Sequence, residues 1–202
     1  MSGTRLLFLA RHGETDWNTD GRWQGQTDVP LNERGRAQAR ALAEALRNDG
    51  IASVVSSDLA RARMTAEIVA RELGVAPVHL DAGLREQGFG CFEGLTKSEC
   101  EARFPDAWAR YLADSRCTPP GGESHADLVS RMRASVHRIA ESLPGPALVV
   151  VHGGAMRALV SEQLGSIATP ASPAWSSSGI PNGGILRLGL TSDRIVSVTQ
   201  LR

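Results

Sequence analysis

Two histidines each follow a continuous apolar run. Leu6-Leu7-Phe8-Leu9-Ala10 leads into Arg11-His12-Gly13, and Ala147-Leu148-Val149-Val150-Val151 leads into His152-Gly153-Gly154. Continuous rather than alternating apolar residues mark strands of a parallel sheet covered on both faces. In such a sheet ligands bind beyond the carboxyl ends of the strands, where the strand order reverses. A glycine directly after each histidine lets the chain turn and approach a ligand closely. One strand-end histidine is an ordinary loop residue; two in equivalent positions form a candidate pair for nucleophilic or acid–base chemistry. The other three histidines get no role. His137 falls inside a helical stretch, His79 near a short strand, and His125 at a helix entry after Gly121-Gly122-Glu123-Ser124.

Arginine supplies the second half of the chemistry. The short run Ile51–Val55 leads into Ser56-Ser57-Asp58-Leu59-Ala60-Arg61, so Arg61 lies in the first turns of a helix that begins at a strand's carboxyl end. Helix N-termini attract anions, and a guanidinium fits phosphate oxygens with two parallel hydrogen bonds. Arg11, beside His12, offers the same group. Arg63, two residues further round the helix, points to solvent. The stretch from Gly13 to Pro30 has little periodicity, and a loop this long in a compact domain is usually functional or disordered. It carries Asn18 and Arg22-Trp23-Gln24-Gly25, whose amides and cation can donate to a phosphate. Trp17 and Trp23 read as wedges against the core. Glu86, in Leu84-Arg85-Glu86-Gln87-Gly88, follows a third strand near Val78–Leu80 and by itself is an ordinary surface carboxylate.

The elements that must position these groups alternate along the chain. Ala41/Ala45 and Leu42/Leu46 recur at four-residue spacing in a helix over Gly35–Arg47, with Asn32 as its cap. Met64, Ile68 and Val69 stripe a helix over Leu59–Leu73, which Ser57 or Asp58 can cap. Helices are expected over Lys97–Arg103, Asp106–Leu112, Ser124–Leu143 and Gly154–Leu164. Two strands, Gly184–Leu190 and Arg194–Leu201, close the chain around a turn at Thr191-Ser192-Asp193. This predicts a three-layer α/β/α fold with a mostly parallel central sheet, and one domain over residues 1–202.

Bulk composition fits. With 22 basic and 22 acidic residues the formal charge is zero, which argues against a nucleic-acid or membrane partner. Cys91, Cys100 and Cys117 have spacings that suit no zinc site and read as reduced thiols. Five apolar residues near the N-terminus are too few for a signal-peptide core, and no run is long enough to span a membrane. A cytoplasmic location, as a monomer or homodimer, is expected.

Taken in order, Arg11-His12-Gly13-Glu14-Thr15, Asn18, Gln24-Gly25, Ser57-Asp58-Leu59-Ala60-Arg61-Ala62 with Thr65-Ala66, Leu84-Arg85-Glu86, Gly90, Glu93-Gly94, Gly121-Gly122-Glu123-Ser124, Val151-His152-Gly153-Gly154 and Pro181-Asn182 resemble the histidine phosphatase superfamily in its phosphoglycerate mutase-like branch. The resemblance spans nearly the whole chain. It implies that His12 is the nucleophile and becomes a phosphohistidine, and that Arg11, Arg61 and His152 hold the phosphoryl group. Asn18, Gln24, Gly25, Gly153 and Asn182 join them as phosphate or substrate ligands, and Glu86 becomes the proton donor. No metal and no other cofactor is implied. The segment 87–123 would be a helical insertion partly covering the site.

Three activities share such a site. A cofactor-dependent phosphoglycerate mutase must keep water from a bisphosphorylated intermediate. Mutases of the family carry extra length and basic residues after the acid, with an Arg-His-Tyr-like run where this chain has Gln87-Gly88-Phe89. The short Cys91–Pro120 segment and the early end of the chain also favour hydrolysis. An inactive phosphate-binding module stands third, because His12, His152 and Glu86 are all present. The expected activity is therefore metal-independent hydrolysis of a small phosphorylated metabolite. Trp23, Arg85, Phe89, the Lys97–Arg116 helices, Glu123-Ser124-His125 and the Ala174–Ile180 loop should form its specificity wall.

Overall fold

The computed structural model describes residues 5–164, 180–191 and 195–201. In chain order the elements are β1 (Arg5–Arg11), α1 (Asp16–Thr19), α2 (Glu33–Leu46), β2 (Ser53–Ser56), α3 (Ala60–Leu73), β3 (Val78–Leu80), α4 (Lys97–Arg103), α5 (Pro105–Ala113), α6 (His125–Ser142), β4 (Ala147–Val151), α7 (Gly153–Leu164), β5 (Ile185–Leu190) and β6 (Ile195–Gln200). The six strands form one sheet in the order β3-β2-β4-β1-β5-β6. The four strands β3, β2, β4 and β1 pair in parallel, while β5 and β6 add an antiparallel edge. The sheet is thus mostly parallel, and the apolar runs of β1 and β4 are continuous because both their faces are covered.

Alternate residues of those strands feed two cores. Phe8, Ala10, Leu148 and Val150 pack with Leu42 and Leu46 of α2 and Ala62, Ala66 and Val69 of α3. Leu7, Leu9, Val149 and Val151 pack on the other face with Leu128, Met132 and Val136 of α6 and Met156 and Leu159 of α7. The result is three layers. A separate aromatic cluster, Phe89, Phe92, Trp108 and Tyr111, stands above the sheet edge with Trp23 packed against it. Among the described residues no helix is long and apolar enough to cross a membrane.

The elements follow the sequence reading with small shifts. Asn32 caps α2 by accepting from the Gly35 amide at 2.8 Å, and Ser124 caps α6. The start of α3 differs. Its cap residue is Leu59, which has no capping side chain, and the Ala60 amide donates instead to Asp28 Oδ1 at 2.5 Å. Neither expected cap, Ser57 or Asp58, serves, and Asp58 is drawn away by Arg85, which holds both carboxylate oxygens, at 2.7 and 2.5 Å. A charge-assisted double bond outcompetes a single amide bond. The turn placed at Ser192-Asp193, with the strand start at Arg194, lies outside the described residues.

One close approach anchors β1's exit to α2. A Cβ on Gly13 would overlap the Gly35 carbonyl, and a Cβ on Gly35 would overlap the Glu14 backbone. Both obstacles are main chain, so neither yields as a flexible side chain does. Gly35→Ala is expected to destabilise the fold by about 1–3 kcal/mol through overpacking, read as a lower urea midpoint at unchanged m-value.

Candidate active site

Strand register brings the two histidines together. Arg11 of β1 stands opposite Val151 of β4, so the next residues, His12 and His152, emerge side by side with ring centroids 5.2 Å apart. The His12 amide continues the ladder by donating to the Val151 carbonyl at 3.0 Å. Because α2 and α3 cover one face and α6 and α7 the other, the chain leaves these neighbouring strands toward opposite sides. That divergence opens the crevice.

The two rings hold opposite tautomers. His12 Nδ1 lies 2.6 Å from the Gly13 carbonyl, which can only accept, so Nδ1 carries the proton and Nε2 the lone pair. Arg61 Nε lies 3.2 Å from His152 Nδ1, and a guanidinium can only donate, so His152 has its proton on Nε2. That Nε2 is buried without a protein partner. One imidazole therefore offers an electron pair and the other a hydrogen-bond donor. Burial, with the charges of Arg61 and Arg11, holds His12 well below the ordinary value of 6.5. His152 is shifted the same way, by burial, Arg61, His12 and Arg11. Both rings are neutral at pH 7.

Arg61 is the hub. It is 1% exposed, and besides His152 it donates from Nη1 to the Thr27 carbonyl at 2.8 Å and from Nη2 to the Gly25 carbonyl at 2.6 Å. Three of its five N–H groups are thus engaged and two remain. Desolvation pushes its pKa down to about 10, with Glu86, Asp28 and Glu93 acting against the shift, so it stays cationic at pH 7. Arg11 donates from Nη1 to the Ile180 carbonyl at 2.5 Å, leaving Nε buried and unpartnered. Gly153 makes room for that guanidinium, since a Cβ there would stand 3.1 Å from Arg11 Nε.

Glu86 is 8% exposed and faces the same cavity of about 210 Å³ as Arg11, His12, Asn18, Gln24 and Arg61. Its Oε1 accepts from the Gln87 amide and Oε2 from the Gly154 amide, each at 2.9 Å. A Cβ on Gly154 would come within 2.6 Å of Oε1, so glycine is what lets the start of α7 reach the carboxylate. Asn18 spends its oxygen on the Thr15 amide and on Asn182, which leaves its NH₂ for the cavity. Gln24 lines the cavity with its side-chain oxygen buried and unpartnered. Gly25 contributes backbone, through the carbonyl that accepts from Arg61. Asn182 lies behind the site, its NH₂ donating to the His12 carbonyl at 3.1 Å.

Of the expected specificity wall, Trp23, Phe89 and Lys97 line this cavity. Trp23 also wedges, meeting Phe89 edge-on with centroids 4.7 Å apart. Arg85 is turned to Asp58, and Glu123 to Arg131 at 2.6 Å. Of the 174–180 loop only Ile180 is described. Sequence reasoning gave the supports no role, although Thr65 and Glu93 stand in the series that carries the family resemblance. Glu93 accepts from the Gln26, Thr27 and Phe89 amides and the Thr27 hydroxyl, pinning the Gln24–Thr27 loop. Thr65 accepts from the Gly13 amide at 3.0 Å and donates to the Arg61 carbonyl. Arg131 donates to the carbonyls of Gly83, Arg85 and Glu86. Arg157, which lines the cavity, was missed too. Its signal was the spacing Gly154–Arg157, one helical turn, which puts both on one face of α7.

A buried cationic pocket with one free imidazole lone pair, converging donors and one carboxylate is built to receive a tetrahedral dianion. Comparison with known proteins agrees. Residues 7–200 match the model of the histidine phosphatase superfamily, branch 1, and the chain belongs to that family. It is 38% identical over 169 residues to a glucosyl-3-phosphoglycerate phosphatase of Mycolicibacterium vanbaalenii, covering 80% of this chain and 75% of that protein. It is 40% identical over 157 residues to phosphoglycerate mutase-like protein 4 of Arabidopsis thaliana, covering 76% and 68%. The solved structure of a mycobacterial glucosyl-3-phosphoglycerate phosphatase in complex with VO3 superposes with a TM-score of 0.82 at 34% identity, over 98% of each chain.

Neutral buried imidazoles link stability to pH. An unfolded histidine takes up its proton near pH 6.5, whereas these two resist it until lower pH. The folded state is therefore at full stability above pH 6.5 and loses it as pH falls below, by at most about 1.4 kcal/mol per pH unit for each histidine. Denaturation free energies between pH 7.5 and 5.5 should show this slope, and His152→Asn should reduce it. An unchanged slope in that variant would mean His152 is not held neutral.

Proposed function

We propose that the chain is a metal-independent phosphatase that hydrolyses a small phosphomonoester through a phosphohistidine on His12. The observation that carries this reading is the pair of opposite tautomers, His12 Nε2 with a free lone pair beside His152 Nε2 with a free N–H. His12 Nε2 attacks phosphorus in line with the leaving oxygen, forming the N–P bond as the ester O–P bond breaks. Glu86, acting as the acid, gives a proton to the leaving alcohol. As a carboxylate it then takes a proton from water, whose oxygen attacks phosphorus and returns His12 with inorganic phosphate. Arg11, Arg61, His152 and the Asn18 amide hold the equatorial oxygens; Gln24 and Gly153 shape their surroundings. Each charge-assisted hydrogen bond contributes on the order of 1.5–3 kcal/mol. Asn182 serves by positioning His12.

Residues 1–202 form one such unit, in which the 87–123 segment covers the site through its aromatic cluster. The enzyme is cytoplasmic and acts on a phosphorylated metabolite. The mutase alternative is disfavoured by the segment after the acid. Directly after the acid stand Gln87 and Gly88, neither of them a cation, and both are tied to Glu123, Gln87 by donating to its carbonyl and the Gly88 amide by donating to its carboxylate.

Four measurements test the reading. With EDTA present, phosphate release from a panel of phosphomonoesters is expected to persist, and 3-phosphoglycerate with a trace of 2,3-bisphosphoglycerate should yield phosphate rather than the isomer. His12→Ala should abolish turnover and the acid-labile phosphoenzyme trapped from wild type; substantial residual activity would exclude His12 as nucleophile. Glu86→Gln should slow alkyl phosphates by about 10²–10⁴-fold, and p-nitrophenyl phosphate less, because a good leaving group needs no proton.

A further inference from the structure

One face of α6 runs alongside the loop that carries Glu86. Arg131, Ser135 and Arg138 recur at spacings of four and three, so they share one stripe of the helix. Each meets the loop in turn. Arg138 Nη2 donates to Asp81 Oδ2 at 2.6 Å, and Ser135 Oγ stands so close to Gly83 that a Cβ there would overlap it. Arg131 reaches the end of the loop. It donates from Nη1 to the carbonyls of Gly83 at 3.0 Å and Arg85 at 2.6 Å, and from Nη2 to that of Glu86 at 2.8 Å. Its other two N–H groups go to the Glu123 carboxylate, at 2.6 and 2.7 Å. All five donors of the guanidinium are therefore engaged.

Glu123 in turn holds the residues that follow the acid. Its amide donates to the Gly88 carbonyl at 2.8 Å, its carbonyl accepts from the Gln87 side chain at 3.1 Å, and its carboxylate accepts from the Gly88 amide at 3.3 Å. The Arg131–Glu123 ion pair thus grips the chain on both sides of Glu86. The Glu86 carboxylate touches neither partner, since its two oxygens accept from the Gln87 and Gly154 amides. A side chain aimed by its own neighbour's amide goes where that backbone goes. The backbone of residues 85–88 therefore decides where the carboxylate stands relative to His12. With side chains only 22% and 18% exposed, the pair is largely shielded from the water that weakens surface ion pairs.

We propose that Arg131, paired with Glu123, is the positioning residue for Glu86: it fixes the backbone on either side of the acid and so sets the acid's reach to the leaving oxygen. The inference rests on the reading of Glu86 as proton donor and adds a structural requirement to it. Among the described residues that line the site cavity Arg131 has no place, so its replacement removes no ligand of the phosphoryl group. Reach matters because a proton passes only over hydrogen-bond distance, and a displacement of about 1 Å can cost on the order of 10²-fold in rate.

The test is the ratio of kcat/KM for glycerol 3-phosphate, whose leaving oxygen needs a proton, to that for p-nitrophenyl phosphate, whose leaving group does not. Because kcat/KM covers only the steps through release of the alcohol, the ratio isolates the acid. Arg131→Gln should lower it by about 10- to 100-fold. Arg131→Lys keeps the charge, which also bears on His152, but offers three donors to five acceptors, and should lower it about tenfold. Adding Arg131→Lys to Glu86→Gln should leave the ratio where Glu86→Gln alone sets it, because nothing remains to be positioned. Ratios within one variant are insensitive to the folded fraction, and where Arg131→Gln does not fold, Arg131→Lys carries the comparison. A wild-type ratio in Arg131→Lys, an equal loss for both esters, or a further drop in the double variant overturns the positioning role while the reading of Glu86 stands. Glu86→Gln with an unchanged ratio overturns both.

Discussion

A guanidinium removed from water must find acceptors for its N–H groups, and the site is organised around that requirement at Arg61. Its acceptors come from Gly25, Thr27 and His152, two in the loop after α1 and one at the end of β4. Removing one partner of a buried charge is costly, because the charge stays behind unpaired. The loop that supplies two of them is therefore secured twice. Glu93 gathers its amides from one side, and Asp28, just beyond, takes the first free amide of α3, the helix that carries Arg61. Loop, helix and strand end thus depend on one another through one side chain. The same contact fixes the His152 tautomer, so the hub that holds the architecture together also sets which proton the site presents.

Glycines set how closely the parts approach. Gly154 lets the first turn of α7 place its amide on Glu86, and Gly13 and Gly35 let β1's exit touch the start of α2. At these places a methyl group would meet a carboxylate or main chain. The spacing between His12 and Glu86 is therefore written partly in missing side chains, and it resists change because backbone rather than rotamers defines it.

Much of this was legible in the residues. Continuous apolar runs ending in His-Gly placed two imidazoles at the edge of a parallel sheet, and in-register pairing of β1 with β4 is what makes them neighbours. Arg61 was legible because its type and its place on a helix both indicate an anion. Glu86 was not, since a lone glutamate in a loop has no periodic signal; only the family resemblance marked it. The supports escaped for a related reason. Glu93, Thr65 and Arg131 bond mainly to backbone far away in sequence, and any polar residue can do that once the fold has brought the partner near. The cap of α3 was placed on Ser57 or Asp58 rather than Leu59, and Asp58 has a stronger partner in Arg85, a competition visible only in three dimensions.

Within the protein alone the pocket's charges and donors are not fully compensated. Arg11 and Arg61 oppose each other's charge, and the buried Nε of Arg11 and Nε2 of His152 have no partner. Each orphaned buried donor costs on the order of 1–3 kcal/mol relative to a satisfied one. Folding sustains this because the two apolar cores and the aromatic cluster hold the groups in place whether or not an anion is present. In the proposed reaction an arriving phosphoryl group would satisfy donors that are already aimed, and those contacts would strengthen as charge shifts onto the equatorial oxygens in transfer. Keeping both imidazoles uncharged belongs to the same logic. A protonated His12 would add a further cation to the pocket and remove the lone pair that the proposed attack requires, so the arginines proposed to attract the phosphate would also keep that lone pair free.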